Sequence, residues 1–546
     1  MKKVLTVLMV LLLVGVYSAF ACTIFAVGKD ATTDGSTMIS HTCDSNSDDL
    51  RIWLIPSMEA GTTRDVVVSG RAGSDFSNFP DVVYGPSAKI VDSYVNEKAT
   101  NQYVHGMYSF MNDKGLAIGE STCAMSFSDD RGMASYFAFN DIRSKAKWDC
   151  YMLQDAALEN CSTAREAVEF MGKCIEEGGW ADFCCECINI CDGTEAWVFE
   201  AYGGYEWAAI RVPDDMVFVA ANRARINVYK ENDPDYKCSP TLKSFALESG
   251  LWNGEGEFQP CMAYSWNAYN NMGCTLREWR AINLLNPEVG KDLDPFGDAN
   301  EYPLFVKPAE KVSVQTIKDI SSDYYAGTEF DVSRTVQAGE FGNPLSNNNN
   351  TLKQDTREGI ARPINMFRCT YIQIANVRAD LPEEARCLVW VGWGAPSVTY
   401  LTPVFASAKY FPEHFGRGVR TEYDPQSGWW NEAVVQQLTT INYASAIEDV
   451  KAVRDPMQES LYKQTLAAQE LAASLIEVGR TDLGVQYLTT FMNNTANQWF
   501  DTYSELGDHL TQKYMLGNVD MKVPSRPEWW TNIILENMGD KLRPED

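Results

Sequence analysis

Four short apolar runs between residues 188 and 221 constrain the fold more than any other stretch. Residues 188–191, 194–201, 206–212 and 216–221 are rich in Ile, Val, Trp, Phe and Ala. Asp192-Gly193, Gly203-Gly204 and Pro213-Asp214-Asp215 separate them. Strand-length runs joined by turns this tight leave no room for crossover helices, so the reading is an antiparallel meander. A second strand pair is read at residues 23–27 and 38–42, joined by a turn-rich segment with Asp34-Gly35 as its strongest signal. A hairpin centred near Thr32 and Thr33 pairs positions whose numbers sum to about 65. Cys22 then faces the neighbourhood of Cys43, with His41 and Asp44 at the same end of the sheet.

Helical patterns lie elsewhere. Residues 141–178 read as two helices, the second opening on the capping box Thr163-Ala164-Arg165-Glu166. Ala164, Ala167, Val168, Met171 and Ile175 follow at helical spacing, and Gly178 is a natural stop. Residues 45–105 read as loop-rich, and 108–111 and 116–118 as strands around the turn Asn112-Asp113-Lys114-Gly115. Strand character resumes at 362–378 and 387–391, and 429–515 is largely helical. Antiparallel strands and separate helical runs define an α+β class.

The start of the chain bears on chemistry. Lys2 and Lys3 precede an apolar run over residues 4–16, and Ala19-Phe20-Ala21 is a small-x-small cleavage signal. This is the pattern of a secretory signal peptide, too short for a stable membrane span. Residues 1–21 are therefore expected to be removed, leaving one catalytic unit over 22–520, a tail over 521–546, and a secreted or periplasmic location. A lipoprotein signal, with Cys22 acylated as an anchor and the fold only binding ligand, is the competing reading. Bulky Phe20 two residues before Cys22 favours ordinary cleavage.

A Cys at the new N-terminus carries a nucleophile and a base on one residue. The thiol is mostly protonated at neutral pH, while an α-amino group, with a reference pKa of about 7.7–8.0, is partly free to accept its proton. No histidine is required, which suits a chain with four. The sequence holds no G-x-S-x-G elbow, H-E-x-x-H motif or phosphate-binding loop, and neither cofactor nor metal is expected. A net charge of −28 argues against nucleic acid and anionic membranes as partners. The fifteen cysteines of an exported chain are expected to form disulfides; the odd count leaves one, Cys22, free. The cluster Cys184, Cys185, Cys187 and Cys191 is read as disulfides rather than zinc. A Cys22–Cys43 cross-strand bridge is the alternative that contradicts a catalytic Cys22.

Several segments in order carry a family resemblance. They are Cys22-Thr23-Ile24 through Asp34-Gly35-Ser36-Thr37-Met38-Ile39, and Met111-Asn112 with Gly119-Glu120-Ser121-Thr122. Glu195-Ala196-Trp197-Val198-Phe199-Glu200, Arg211-Val212-Pro213-Asp214-Asp215 with Ala221-Asn222, Tyr487-Leu488-Thr489 and Tyr514-Met515 complete them. Together they resemble the cysteine-type dipeptidases of the N-terminal-nucleophile (Ntn) hydrolase superfamily, with penicillin V acylase, bile-salt hydrolase and secernin as more distant relatives. The resemblance implies an αββα sandwich and hydrolysis of dipeptides. It maps Cys22 onto the nucleophile and puts Asp44 close to its amine. Asn112 and Asn222 fall near positions that supply oxyanion or substrate-orienting contacts. His41 stands where many relatives carry Arg, and a second family Arg corresponds to Arg368 or Arg223. For the residues alone, ordinary roles stay open: turn chemistry for Asn112, a strand-end cap for Asn222, and strand-end solvation for His41 and Asp44. An Ntn acylase acting on a non-peptide amide is the neighbouring functional alternative.

Overall fold

The computed structural model describes residues 22–45, 48–68, 89–123, 139, 141–182, 184–265, 272–346 and 362–538. The expected leader, residues 1–21, lies outside them. In chain order the strands begin β1 (Thr23–Val27), β2 (Thr37–Asp44), β3 (Trp53–Ile55), β4 (Thr63–Val68), β5 (Lys89–Val95), β6 (Tyr103–His105), β7 (Met111–Asn112) and β8 (Ala117–Cys123). They continue with β9 (Cys185–Cys191), β10 (Ala196–Gly203), β11 (Glu206–Val212), β12 (Val217–Ala220), β13 (Tyr236–Cys238), β14 (Cys369–Val377), β15 (Leu388–Trp393) and β16 (Thr402–Phe405). The helices that matter below are α1 (Cys150–Asn160), α2 (Ala164–Gly178), α3 (Met272–Leu285), α4 (Gly428–Thr439), α5 (Tyr443–Glu477), α6 (Thr481–Tyr514) and α7 (Glu528–Met538).

Two antiparallel sheets carry the fold. One has six strands in the order β12-β1-β2-β14-β15-β16, the other eight in the order β13-β11-β10-β9-β8-β7-β6-β3. They pack face to face, with β2 against β8 and β9, and β1 against β9 and β10. Helices α1 and α2 cover the outer face of the eight-stranded sheet, while α4 and α6 pack on β15 and β16 of the other. Strand β10 shows why both faces of a sheet are apolar here. Val198 points into the core between the sheets, whereas Trp197 and Phe199 point outward into a core shared with Leu153, Val168 and Met171 of α1 and α2. The α2 capping box forms as read, with Thr163 and Glu166 reciprocally bonded, and Gly179 takes φ 76° just past the helix end.

The β1–β2 hairpin has the expected register, pairing Thr23 with Thr42 and Ile24 with His41. The meander is corrected at its last strand. β9, β10 and β11 are consecutive neighbours, but β12 leaves that sheet and pairs with β1, Ile24 opposite Ala220. Pro213 offers no ladder N–H at this point, and the turn after it closes onto Gly28. A Cβ on Gly28 would lie 2.3 Å from the Pro213 carbonyl oxygen, so only glycine allows the two turns to meet. Residues 45–105 hold β3 to β6 rather than loop alone, and the tail carries α7.

The disulfide expectation is also corrected: none of the fifteen cysteines forms a disulfide. Thirteen are buried, where a thiol packs as a small apolar group. Cys185, Cys187 and Cys191 alternate along β9 toward the core between the sheets, so they lie beside one another on a single strand. Their thiols aim at different oxygens: Cys184 at Glu186, Cys185 at the Tyr202 carbonyl, Cys187 at Glu200. Cys22 and Cys43 do not bridge either, since the Cys43 thiol donates to Asp48 at 3.1 Å. Among the described residues, no helix is long and apolar enough to cross a membrane.

Candidate active site

Cys22 sits at the head of β1, where hairpin register and sheet packing converge. Continuing the β1–β2 ladder sets it opposite Cys43, one residue from Asp44. The facing sheet brings up Glu120 and Ser121 of β8. The Cys22 thiol, 3% exposed, donates to Glu120 Oε1 at 3.5 Å. On the other side of that carboxylate lies His41 Nε2, 3.3 Å from the same oxygen. Glu120 Oε2 accepts from the Thr122 hydroxyl at 3.2 Å.

The backbone of Cys22 is clamped. Its carbonyl accepts from the Ser121 hydroxyl at 3.3 Å and from Arg277 Nη1 at 2.8 Å. Arg277 comes from α3, is fully buried, and also donates to Thr23 Oγ1 at 3.0 Å and Asn222 Oδ1 at 2.7 Å. Asn222 closes the frame from the end of β12. Its backbone N–H donates to Ser121 Oγ at 2.8 Å and its Nδ2 to the Thr122 carbonyl at 2.7 Å. It takes the left-handed φ of 58°, a conformation asparagine tolerates better than most residues.

Electrostatics sets the protonation states. Burial, then the carboxylates of Glu120 and Asp44, push the Cys22 thiol well above its ordinary value; the backbone N–H of Asp44 offsets part of this. A thiol in this setting is neutral until a base takes its proton. His41 is a poor candidate for that base, because burial lowers it to about 3. Burial raises Asp44 to about 7, against the pull of Arg277 and Arg368. Both Asp44 carboxylate oxygens are buried with no hydrogen-bond partner. Arg368, beside β14, is lowered by burial while Asp44 and Cys22 act to raise it.

Five of the six residues read from the sequence thus meet here: Cys22, His41, Asp44 and Asn222 directly, Arg368 through its field on Asp44 and Cys22. Asn112 is not brought to the thiol. Its Nδ2 donates to the Leu158 and Cys161 carbonyls at 2.8 Å each, tying β7 to the end of α1. Its Oδ1 accepts from the Lys114 and Leu116 N–H groups, the turn role. Arg223 is held by Glu278. Arg277 and the role of Glu120 escaped sequence reading. A basic residue amid apolar positions of a helix, and an acid within the strand Ala117-Ile118-Gly119-Glu120-Ser121, are the signals that mark them. The Cys22 thiol, a His41 ring nitrogen and a Glu120 oxygen lie within 4.8 Å of one another, a donor set that can also hold a metal ion.

A buried thiol on a rigid strand, set among carboxylates and a cross-linked amide, defines a candidate thiol hydrolase. The sequence matches peptidase family C69 over residues 21–455, and the chain belongs to that family of Ntn-type cysteine peptidases. It is 26% identical to a "Probable dipeptidase" of Salmonella dublin over 75% of this chain and 86% of that protein. It is 24% identical to "Probable dipeptidase B" of Lactococcus lactis subsp. lactis (strain IL1403) over 92% of this chain and 97% of the relative. A "Dipeptidase" of Bifidobacterium longum (strain NCC 2705) is 24% identical, covering 83% and 84%.

Proposed function

We propose that this protein is an exported dipeptidase whose nucleophile is the Cys22 thiol and whose base is the α-amino group of the same residue. The observation that carries the reading is the buried Cys22 thiol beside the unpartnered Asp44 carboxylate, in a family match that begins at residue 21. An α-ammonium released at Cys22 adds a cation next to that carboxylate, besides the fields of Arg277 and Arg368. The apolar run at residues 4–16 and Ala19-Phe20-Ala21 support cleavage before Cys22 and export. The two facing sheets with helices on their outer sides support the αββα Ntn architecture.

The α-amine takes the thiol proton as sulfur attacks the scissile carbonyl carbon. The neutral state of the buried thiol and the low basicity of His41 favour this route over a stored thiolate–imidazolium pair. An amide NH₂ has two donors, and Asn222 uses one on Thr122, leaving the other for the oxyanion. The leaving amine receives a proton from the α-ammonium, and water hydrolyses the thioester. Arg277 holds the Cys22 carbonyl, so attack starts from one fixed backbone geometry. The test is a panel of dipeptides and acylated amines offered to the wild type and to Cys22→Ser. Dipeptide hydrolysis lost in the variant, with an unchanged melting temperature, is the expected result. Turnover of acylated amines alone makes the protein an acylase. Undiminished turnover in Cys22→Ser removes Cys22 from the chemistry.

A further inference from the structure

A cavity of about 1140 Å³ lies between the helix Val314–Ser321, the segment 333–342, the start of α5 and the tail that leads into α7. None of Cys22, Asp44, Asn222 and Arg277 is among the described residues that line it. Pro524 and Trp529 of the tail form one wall, and Arg526 ties that wall to Glu340 at 3.5 Å. The family match ends at residue 455, so this wall lies outside it.

Four of the described lining residues are basic. Three have a carboxylate partner: Arg334 has Asp331, Lys451 has Glu448 and Arg454 has Asp455. The fourth, Lys318, is 3% exposed and makes no ion pair among the described residues. It donates to the Thr399 carbonyl at 2.7 Å, which uses one of the three N–H groups of an ammonium. Asn442 lines the same cavity, and its buried Oδ1 has no hydrogen-bond partner. Tyr324, Phe341, Tyr443 and Trp529 add aromatic surface. A buried amine with donors to spare calls for an anion, an unmet amide oxygen calls for a donor, and aromatic walls call for an apolar body.

We infer that this cavity binds an α-amino-acid carboxylate with a large apolar side chain, free or at the end of a short peptide, and that Lys318 receives the carboxylate. The inference goes beyond the dipeptidase reading and does not depend on it. The nitrogen next to the carboxylate supplies the N–H that Asn442 lacks. Burial lowers Lys318 well below its ordinary value, Arg454 acts the same way, and Glu432, Asp455 and Asp319 oppose them. Without an anion the amine favours its neutral form, and a carboxylate beside it stabilises the ammonium, so binding takes up a proton.

The test is calorimetric titration of the Cys22→Ser protein, chosen so that no probe is turned over. The probes are L-phenylalanine, N-acetyl-L-phenylalanine, L-phenylalaninamide and L-alanine. Phenylalanine or its N-acetyl derivative should bind, the tighter of the two marking the ligand as a free amino acid or a peptide end. The amide lacks the carboxylate and alanine lacks the apolar body, so each should bind at least about 10-fold more weakly. Adding Lys318→Met should weaken binding about 10- to 100-fold, as for loss of a charge-assisted hydrogen bond. It should also abolish proton uptake, read as the dependence of the binding heat on the buffer's ionisation heat. Trp529→Ala, on the outer wall, should weaken binding and keep the proton uptake, which tests the site without touching a buried charge. Equal affinity for phenylalanine and its amide, or full affinity in folded Lys318→Met, overturns the assignment. So does the absence of binding by both carboxylate probes. Dipeptide turnover by the wild type is measured separately, and its absence refutes the dipeptidase reading while leaving the binding result intact.

Discussion

Replacing Asp44 by Asn separates the two states of residue 22. In the chain still joined to residue 21, the Asp44 carboxylate is fully buried without a hydrogen-bond partner, and burial lifts it from 3.8 to about 7. Each pKa unit is worth about 1.4 kcal/mol, so the ionised form costs the fold about 4 kcal/mol. The sign follows from linkage. A folded-state value above the unfolded one means the folded protein holds its proton more tightly. The cost is absent below pH 3.8, grows as pH rises, and is complete above about 7. Asp44→Asn removes a charge and keeps the shape. In the unprocessed chain the variant should therefore gain on the wild type between pH 5 and pH 8, by a few kcal/mol at the upper end. In the chain that begins at Cys22, the proposed α-ammonium should pair with Asp44, so the advantage should vanish and activity should fall. The assay is thermal unfolding of both proteins in both forms at the two pH values, read as a difference in melting temperature. A difference independent of pH in the unprocessed chain would refute the reasoning.

Three other outcomes follow from the same geometry. Arg277→Met leaves the Cys22 carbonyl, Thr23 and Asn222 without their shared donor, so it should lower the melting temperature and cut kcat about 100-fold or more, measured by dipeptide turnover. His41 is neutral across the working range, so His41→Gln should leave the acid limb of the kcat/KM profile in place; a shift of that limb would assign His41 a titrating role. The denatured, unreduced protein should titrate all fifteen cysteines with a thiol reagent.

How much of this the sequence carries depends on the range of the contact. The β1–β2 register follows from a local turn, and the turn centre at Thr32 and Thr33 places Thr23 opposite Thr42 as observed. The α2 cap is equally local. The departure of β12 to the other sheet is not, because it depends on β1, far upstream, offering a free edge. Asn112 illustrates the limit at single residues: the same Asn-Asp-Lys-Gly run serves a turn or a site, and here its Oδ1 accepts from the turn N–H groups while its Nδ2 is held by the distant Leu158 and Cys161 carbonyls. Arg277 reaches Cys22 across 255 positions, a contact that neither spacing nor periodicity encodes. The cysteine count suggested bridges because composition reports a compartment, whereas a bridge needs two sulfurs at bonding distance; here Cys43 aims at a carboxylate and Cys185 at a carbonyl, and Cys123 and Cys187 meet only as hydrogen-bond partners.

The claim that Cys22 supplies both nucleophile and base is tested most directly by the mass of the N-terminal peptide of catalytically active protein purified from its host. The account predicts a peptide beginning at Cys22 with an unmodified α-amine, and no activity in protein that retains residue 21. Full activity with residue 21 still attached, or with a lipid on Cys22, would contradict it, since the first form has no free α-amine to take the thiol proton and the second has no free thiol.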